Sequence, residues 1–381
     1  MRVGLVVPGF SADPRDWCIP ALRHLARALA YRDDLRVIAI RYPYRAGRYA
    51  IDGAETIALG GAVRHRAATL DLWRTALGTL RAEHRRRPFD VLHAFWATES
   101  GLLATLAGKL LRVPTLVSLA GGELVGLRDI GYGDQRIAWE RLKVAASLRW
   151  ASGVSAGSRQ LAAMAEARLR EHRPPGTQAC VHLAPLGVDT DLFTPPHNPH
   201  SDLRRLENPR LVHVGTLTPV KDQATLLRAF ACVRRAGVPA TLDIVGSGPL
   251  QCNLERQARE LGLDGSLRFR GEIDHAELPS VYRVSDALVM ASRHEAQCMV
   301  GVEAAACGTS VVSTRVGVIP DLTRSIAAVG DVDGLAEAIA SQLAEPSRAT
   351  SLMSLEEVRA TFSLDACADR FRGLYASLMT T

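Results

Sequence analysis

The chain has 381 residues, with 46 Lys and Arg against 40 Asp and Glu and a formal net charge of +6 at neutral pH. That length, with 47% hydrophobic residues, suits two domains that each bury a core. Seven cysteines, an odd number with no close Cys/Cys or Cys/His spacing, argue against a disulfide framework and a zinc site and suit a reducing compartment.

In chain order, MRVGLVVPGF reads as a strand, Val3 to Val7, reaching a turn at Pro8 and Gly9; its apolar run is too short for a leader peptide. Further strands are expected at Leu35 to Ile40, Val91 to Ala94, Thr115 to Leu119 and Gly153 to Ser155, with helices between them such as Thr69 to Arg87. In that helix Leu70, Leu72, Trp73, Leu77 and Leu80 suit core packing, or surface docking beside its basic end. The most apolar window, Gly101 to Gly126, is broken by Lys109, Arg112 and Pro114, so no membrane span is expected. Up to Thr190 about 27 basic residues face about 17 acidic ones, an excess of about 10 that leaves the remainder near −4. Arg41, Arg45 and Arg48 are expected in a loop, and Arg85, Arg86 and Arg87 at a helix end. They would form either a solvated surface or a basic face for anionic lipid or an anionic acceptor.

PLGVDTDLFTPPHNPHSDLRRLENP is rich in proline, lacks an apolar period and reads as an interdomain linker. The pattern then restarts: strand Leu211 to Val214, helix Asp222 to Arg235, strand Ala240 to Val245, helix Leu250 to Leu261, strand Leu267 to Arg270 and strand Ala287 to Met290. After them come a short helix from near Val300 stopped by Gly308, strand Ser310 to Ser313, a strand at Ala327 to Val329, two helices ending near Thr361 and an amphipathic helix from Leu364 to Leu378. Strands alternating with helices indicate parallel α/β sheets in two similar halves. Ligands of open α/β sheets bind beyond the carboxyl ends of the strands, and every informative loop here lies there.

Glu295 and Glu303 bracket the passage from the strand ending at Met290 into the helix near Val300. One acid is expected in the loop and the other in the first helical turn, with unpaired helix-start amides between them. Amides for an anion beside acids for hydroxyls fit the two kinds of group on a nucleotide sugar. The structural alternative makes Glu303 an acid favoured by the helix dipole and Glu295 a solvated loop residue. GTLTPVKD places Gly215 directly after a strand and Lys221 before a helix, where a diphosphate could sit, or where a tight turn and a solvated lysine would suffice. VGSGPL at Gly246 is foremost a strand-to-helix turn, with Pro249 at the first helical position.

The pairs Asp189/Asp191 and Asp331/Asp333 have a spacing that can hold a divalent cation, but the first lies in the linker and Asp333 reads as an N-cap. No metal is expected. His93 ends an apolar strand and His294 adjoins Glu295; each is expected to be a satisfied, partly buried histidine before it is a catalyst. Glu99 and Glu123, the latter in AGGEL, are conceivable acid or base groups. No GxSxG, Walker or HExxH pattern appears, and GxGxxG is missing after the first strand.

Taken in order, GTLTPVKDQATLLRAF, LDIVGSGP, LRFRGEI, SDALVMASRHEAQCMVGVEAAACGTSVVST and VGVIPDL resemble the donor-binding domain of the retaining glycosyltransferases of family 4. PLGVDTDLFTP resembles their interdomain segment. The resemblance is strong over residues 180 to 380 and looser before, through DVLHAFW. It implies GT-B architecture: an acceptor-side Rossmann-like domain at 1–188, a nucleotide-sugar domain at 189–363, a helix at 364–381 packing back on the first, and a cleft between two facing sheets. It implies sugar transfer from a UDP- or GDP-hexose type donor with retention, in the cytoplasm, without a metal or other cofactor. Glu303 would hold the ribose hydroxyls and Glu295 those of the sugar. Lys221 and the amides of Gln297, Cys298, Met299 and Val300 would neutralise the diphosphate; Gly215, Thr216 and Gly246 would line it. Gly271 and Ile273 would border the base, and Gly9 would approach from the first domain.

The acceptor, a small molecule, a glycan or a lipid-linked group, would meet His93, Glu99, Ala120, Gly121, Gly122 and Glu123. Peripheral membrane contact through the basic first domain is an added expectation; a nucleic-acid partner is not. The chain departs from the family at Thr216, where arginine is common, at Gln297 and Cys298, where Phe-Gly is common, and at Ala120, where many members carry histidine. A nucleotide-sugar-binding protein without transfer activity and a nucleotide-sugar epimerase are the alternatives.

Overall fold

Alternating apolar runs and amphipathic helices wind into two parallel sheets in the computed structural model, which describes residues 1–61, 66–172, 181–196, 208–344 and 350–380. The chain divides into two compact units, Met1–Gly187 with Leu364–Thr381, and Val188–Ser363.

In the first unit β1 (Arg2–Gly9), β2 (Asp34–Tyr42), β3 (Ala46–Ile51), β4 (Ala54–Leu59), β5 (Val91–Phe95), β6 (Thr115–Leu119), β7 (Gly153–Ala156) and β8 (Val181–Leu183) make one sheet. Its order is β3-β4-β2-β1-β5-β6-β7-β8, and only β3 runs antiparallel to its neighbour. Helices α1 (Pro20–Ala30), α2 (Arg66–Arg86), α3 (Glu99–Leu111), α4 (Ala138–Trp150) and α5 (Arg159–His172) connect the strands. β1, β5 and β6 are almost wholly buried, as expected of parallel strands covered on both faces.

The β3–β4 hairpin corrects the expectation of a loop around Arg41 to Arg48: Arg41 lies on β2 and Arg48 on β3. Its turn is made by Asp52 and Gly53, with φ of 50° and 82°. Two successive positive φ angles are the demand of a tight hairpin turn, and Asp-Gly was the overlooked signal. The basic surface is also less free than its charge suggests. Arg41 pairs with Glu99 at 2.6 Å, Arg48 and Arg86 with the buried Glu83 at 2.9 and 3.2 Å, and Arg87 with Asp34 at 2.6 Å.

The second unit contains β9 (Arg210–Val214), α6 (Gln223–Arg235), β10 (Thr241–Val245), α7 (Gln251–Glu260), β11 (Leu267–Gly271), α8 (Leu278–Arg283), β12 (Ala287–Met290), α9 (Met299–Ala306), β13 (Ser310–Thr314), α10 (Ile319–Leu322), β14 (Ile326–Ala327), α11 (Val332–Ala344) and α12 (Leu355–Phe362). Its sheet is parallel throughout, in the order β11-β10-β9-β12-β13-β14. Separate apolar clusters cover its two faces, one around Tyr282, Met290 and Val302, the other around Leu226, Phe230 and Ile244. Val188 and Phe193, expected in a linker, are instead buried in the first of these, and the Val188 amide donates to the Phe362 carbonyl at 2.8 Å. The remainder of that stretch, 197–207, lies outside the described residues.

Helix α13 (Leu364–Met379) belongs to the first unit. Phe371 and Tyr375 are fully buried there with Cys367 and Ala368, while Leu374 and Leu378 pack at the margin. The buried stripe thus runs through positions 367, 371 and 375, one step round the helix from the expected face. No helix among the described residues is long and apolar enough to cross a membrane.

Candidate functional site

In the second sheet the strand order reverses at β9, which lies between β10 and β12. Chains leaving β9 and β12 therefore turn to opposite faces and open a crevice at their carboxyl ends, the place where open α/β sheets bind ligands. Three glycine-containing loops are stitched together beside it by backbone hydrogen bonds. The Gly215 amide donates to the Val245 carbonyl at 3.0 Å, the Leu217 amide to the Ser247 carbonyl at 2.9 Å, and the Gly246 amide to the Gly271 carbonyl at 2.7 Å. Gly246 has a φ of 127°, and a Cβ there would stand 2.2 Å from the Gly215 carbonyl oxygen. Glycine at 246 is thus required by backbone approach, in line with its reading as a structural turn. Pro249 sits in the turn before the α7 N-cap, Leu250, rather than at the first helical position.

The crevice brings Lys221 and Glu295 together. Lys221 closes a short 3-10 turn, Pro219–Lys221, and its Nζ lies 2.6 Å from Glu295 Oε1. Ser292 Oγ donates to the same oxygen at 2.8 Å. Burial opposes charge on Lys221, but the carboxylate beside it and the hydrogen bond to it outweigh that and raise its pKa. The lysine is therefore a fixed cation. The loop carrying Glu295 is held at both ends: the Arg293 amide donates to the Val220 carbonyl at 2.8 Å and the Val318 amide to the Gln297 carbonyl at 2.8 Å. A Cβ on Gly317 would approach Gln297 O to 2.5 Å, which gives VGVIPDL a packing role against this loop.

Helix α9 starts at Met299 with Cys298 as N-cap at a φ of 78°. Its first turn is 299–302, so Glu303 lies one turn further in than expected, and a dipole rationale for it does not hold. Glu303 is 6% exposed, and its two oxygens face Tyr282 Oη at 3.0 Å and His275 Nε2 at 3.2 Å. Burial and the Glu303 carboxylate push the Tyr282 hydroxyl well above the ordinary tyrosine range, which keeps it a donor. Cys298 is buried, with Sγ 3.5 Å from Met290 Sδ, and burial raises its thiol pKa, so it fills space as a small apolar group. Gln297 is buried; Met299 and Val300 are half-buried at the helix start, where the first amides lack intrahelical acceptors. Ile273 is half-buried beside the same core, two residues beyond Gly271. Thr216 is exposed, and its carbonyl accepts from Gln223 Nε2 at 3.0 Å.

Ser292, His275 and Tyr282 were missed in the sequence. Each acts only through a fold contact with one of the two acids, and only His275, directly after a strand-end loop, carried a positional signal. Among the described residues no three His, Cys, Asp or Glu side chains are gathered closely enough to hold a metal ion. Asp189 closes a local turn, accepting from the Asp191 and Leu192 amides, both at 3.2 Å. Asp331, rather than Asp333, accepts from the Gly334 amide at 2.9 Å and caps α11.

In the first unit Glu99 opens α3 beyond the carboxyl end of β5; it is gripped by Arg41 at two nitrogens, 2.7 and 2.6 Å, and by Trp73 Nε1 at 2.6 Å. Glu123 is fully buried and accepts from the Ala120 and Gly121 amides at 3.0 and 2.7 Å; burial raises its pKa. Gly122 lies against Tyr132, and Gly9 ends β1 against Tyr42 and Cys18. His93 is placed in the core rather than at a surface, with Nδ1 2.7 Å from Tyr375 Oη and Nε2 2.7 Å from Ser118 Oγ. In the second unit His294 is also buried.

Burial lowers the pKa of His93 to about 3, and burial lowers that of His213, at the β9 end, to about 4. An unfolded histidine titrates near 6.5, so below that pH the unfolded chain binds protons that the folded one refuses. Stability is then complete above about pH 6.5 and is lost as pH falls toward these folded values, each histidine costing about 2 kcal/mol at pH 5. Denaturant titrations at pH 7 and pH 5 check this: His93→Gln should remove its share of the pH dependence, and an unchanged slope contradicts the assignment.

Two family profiles match the chain, "Glycosyl transferase 4-like domain" over residues 19–182 and "Glycosyl transferases group 1" over residues 198–354. A GDP-mannose-dependent alpha-(1-6)-phosphatidylinositol monomannoside mannosyltransferase of Mycolicibacterium smegmatis is 33% identical over 193 residues, 46% of this chain and 50% of that one. A D-inositol 3-phosphate glycosyltransferase of Mycolicibacterium paratuberculosis is 28% identical over 329 residues, 79% of this chain and 70% of that one. The chain thus spans about half the length of the first of these relatives. Among solved structures, sucrose-phosphate synthase from Thermosynechococcus elongatus superposes with a TM-score of 0.76 at 24% identity, covering 100% of this chain and 99% of that one.

Proposed function

The chain belongs to the group 1 glycosyl transferases and has their GT-B architecture of two Rossmann-like domains, and from that premise we propose that it transfers a hexose from a nucleoside diphosphate sugar, with retention and without a metal ion. The observation that carries the reading is the Lys221–Glu295 pair at the switch point of the second sheet. It sets a fixed cation beside a carboxylate, the combination needed where a diphosphate meets sugar hydroxyls.

In this reading Lys221 and the amides of the α9 start neutralise the leaving diphosphate, whose charge grows in the transition state. Glu295 accepts from the hydroxyls of the transferred sugar. Glu303, braced by Tyr282 and His275, holds the ribose, and Ile273 borders the base. Thr216 brings no charge, so among these donor-site residues Lys221 is the cation that meets the diphosphate. The relative from Mycolicibacterium smegmatis is named GDP-mannose-dependent, which makes GDP-mannose the first donor to test. Relatives named for inositol phosphate and phosphatidylinositol mannoside make a hydroxylated, phosphate-bearing acceptor, small or lipid-linked, the first acceptor class. Arg45 and Arg85, without ion pairs among the described residues, support contact of the basic unit with anionic lipid.

Incubation with a panel of nucleoside diphosphate hexoses and such acceptors, followed by NMR of the anomeric proton, tests the reading. Nucleoside diphosphate release with a retained anomer is expected. Product formed without any acceptor points to an epimerase, an inverted anomer overturns the retaining assignment, and nucleotide binding without turnover leaves only a binding protein.

A further inference from the structure

The second unit carries a cavity of about 490 Å³ away from the strand ends that hold Lys221 and Glu295. It opens on the face of the sheet that α8 only partly covers, toward the starts of β9, β10 and β11. In parallel strands the residues directly opposite each other share a face, and every second residue returns to it. Arg210 lies opposite Thr241, and Asp243 opposite Arg268, so these side chains and Arg270 share one face. Arg270 pairs with Asp243 at 3.1 Å, whereas Arg210 and Arg268 are exposed and have no ion pair among the described residues. The lining holds three guanidinium groups to one carboxylate, and the neighbouring Asp286 carboxylate is engaged by the Arg210 amide at 2.7 Å, so positive charge still remains in excess. From α8 the cavity receives apolar groups, Val281 and the 48% exposed Val284 at the helix end.

We propose that this cavity is a binding site for a small phosphorylated, hydroxyl-bearing molecule, and that its occupant regulates the donor site through α8. Arg210 and Arg268 supply forked donors that fit a phosphate, and Thr241 and Asp243 supply partners for hydroxyls. The volume is in the range of ordinary small-molecule pockets.

The coupling follows from one short helix with two faces. Val281 lines the cavity, and the next residue, Tyr282, donates to Glu303 at 3.0 Å. His275, on Glu303's other oxygen, lies in the 3-10 turn leading into α8. A ligand pressed against Val281 and Val284 therefore biases the position of both groups that hold Glu303. α8 touches the cavity through Val281 and Val284 and Glu303 through Tyr282, and a differential contact with it is what a coupling free energy requires. The regulatory half of the proposal rests on Glu303 being part of the donor site; the anion site does not.

The test uses the full chain, with inorganic phosphate and glycerol 3-phosphate as probes and glycerol as the uncharged control. Calorimetry should show saturable binding of glycerol 3-phosphate and none of glycerol. The double substitution Arg210→Ser with Arg268→Ser should weaken that binding about tenfold or more and leave the affinity for nucleoside diphosphate unchanged. The same weakening of inorganic phosphate and glycerol 3-phosphate by Lys221→Ala, with no effect of the double variant, means that the probes occupy the donor site and overturns the proposal. Saturating glycerol 3-phosphate should shift nucleoside diphosphate affinity about fivefold or more in the wild type and not in the double variant. A shift below twofold overturns the regulatory half. If nucleoside diphosphates fail to bind the wild type at all, the donor reading fails while the anion site stands on its own measurement.

Discussion

Glu295→Ala is expected to lower kcat/KM by at least about a hundredfold, with a smaller effect on nucleoside diphosphate affinity. The carboxylate is proposed to meet the sugar and not the nucleotide, so its loss falls mainly on orientation and transition-state stabilisation, where one placed group contributes about a hundredfold to a thousandfold. A second consequence separates this from simple misfolding. Lys221 Nζ is 2.6 Å from Glu295 Oε1, and removing the carboxylate frees a partly buried ammonium that can then turn fully to phosphate. Nucleoside diphosphate should therefore bind the alanine variant as well as, or better than, the wild type, even as transfer is lost. Glu295→Gln keeps the shape and the contact with Ser292 but not the charge, and should recover part of the activity only if hydroxyl binding rather than charge is the main contribution. Parallel measurement of turnover and nucleotide affinity checks the split. Full activity of Glu295→Ala contradicts the role, and equal loss of binding and turnover makes Glu295 a structural partner of Lys221 alone.

Phe371→Ala should have the largest effect on stability, about 3–5 kcal/mol for the first unit. Phe371 is fully buried, its ring centroid 5.0 Å from that of His93 and 6.1 Å from that of Phe95, and Tyr375 below it donates to or accepts from His93. The cavity left by alanine opens beside a histidine whose pKa burial holds down. Water entering there restores the His93 pKa toward the ordinary value, so the variant should also lose part of the acid sensitivity attributed to that histidine. Denaturant unfolding at two pH values measures both effects. A loss below about 1 kcal/mol means that α13 is not an integral part of the core of this unit.

The fold was legible wherever periodicity is forced by burial. β1, β5, β6, β9 and β12 are largely buried on both faces and so read as mostly apolar runs, and α6 and α13 were legible as helices, although the buried stripe of α13 lies one step round from the expected face. What escaped notice was set by less repetitive signals. The β3–β4 hairpin has an exposed outer strand with little apolar pattern, and only Asp52-Gly53 betrays it. α8 is six residues long, too short to show a period, yet it supplies Tyr282. The site was legible as far as charge and glycine mark a backbone: Lys221, Glu295, Gly246 and Glu303 stand out in the sequence. Their partners did not, because Ser292 and His275 are ordinary residues until the fold brings them to a carboxylate. His93 stood out for its position near a strand end, but β5 continues two residues past it and is buried on both faces, so the ring sits in the core against Phe371 and Tyr375, a contact that no local pattern announces.

The central claim, that the segments carrying Lys221, Glu295 and Glu303 form a nucleoside diphosphate site, is tested most directly by calorimetric titration of GDP, UDP and ADP into the wild type, Lys221→Ala and Glu303→Ala. The expected result is clear preference for one base, with affinity lowered about tenfold or more in each variant while the circular dichroism spectrum is preserved. Binding that is absent for all three nucleotides, or that survives both substitutions unchanged, would contradict it.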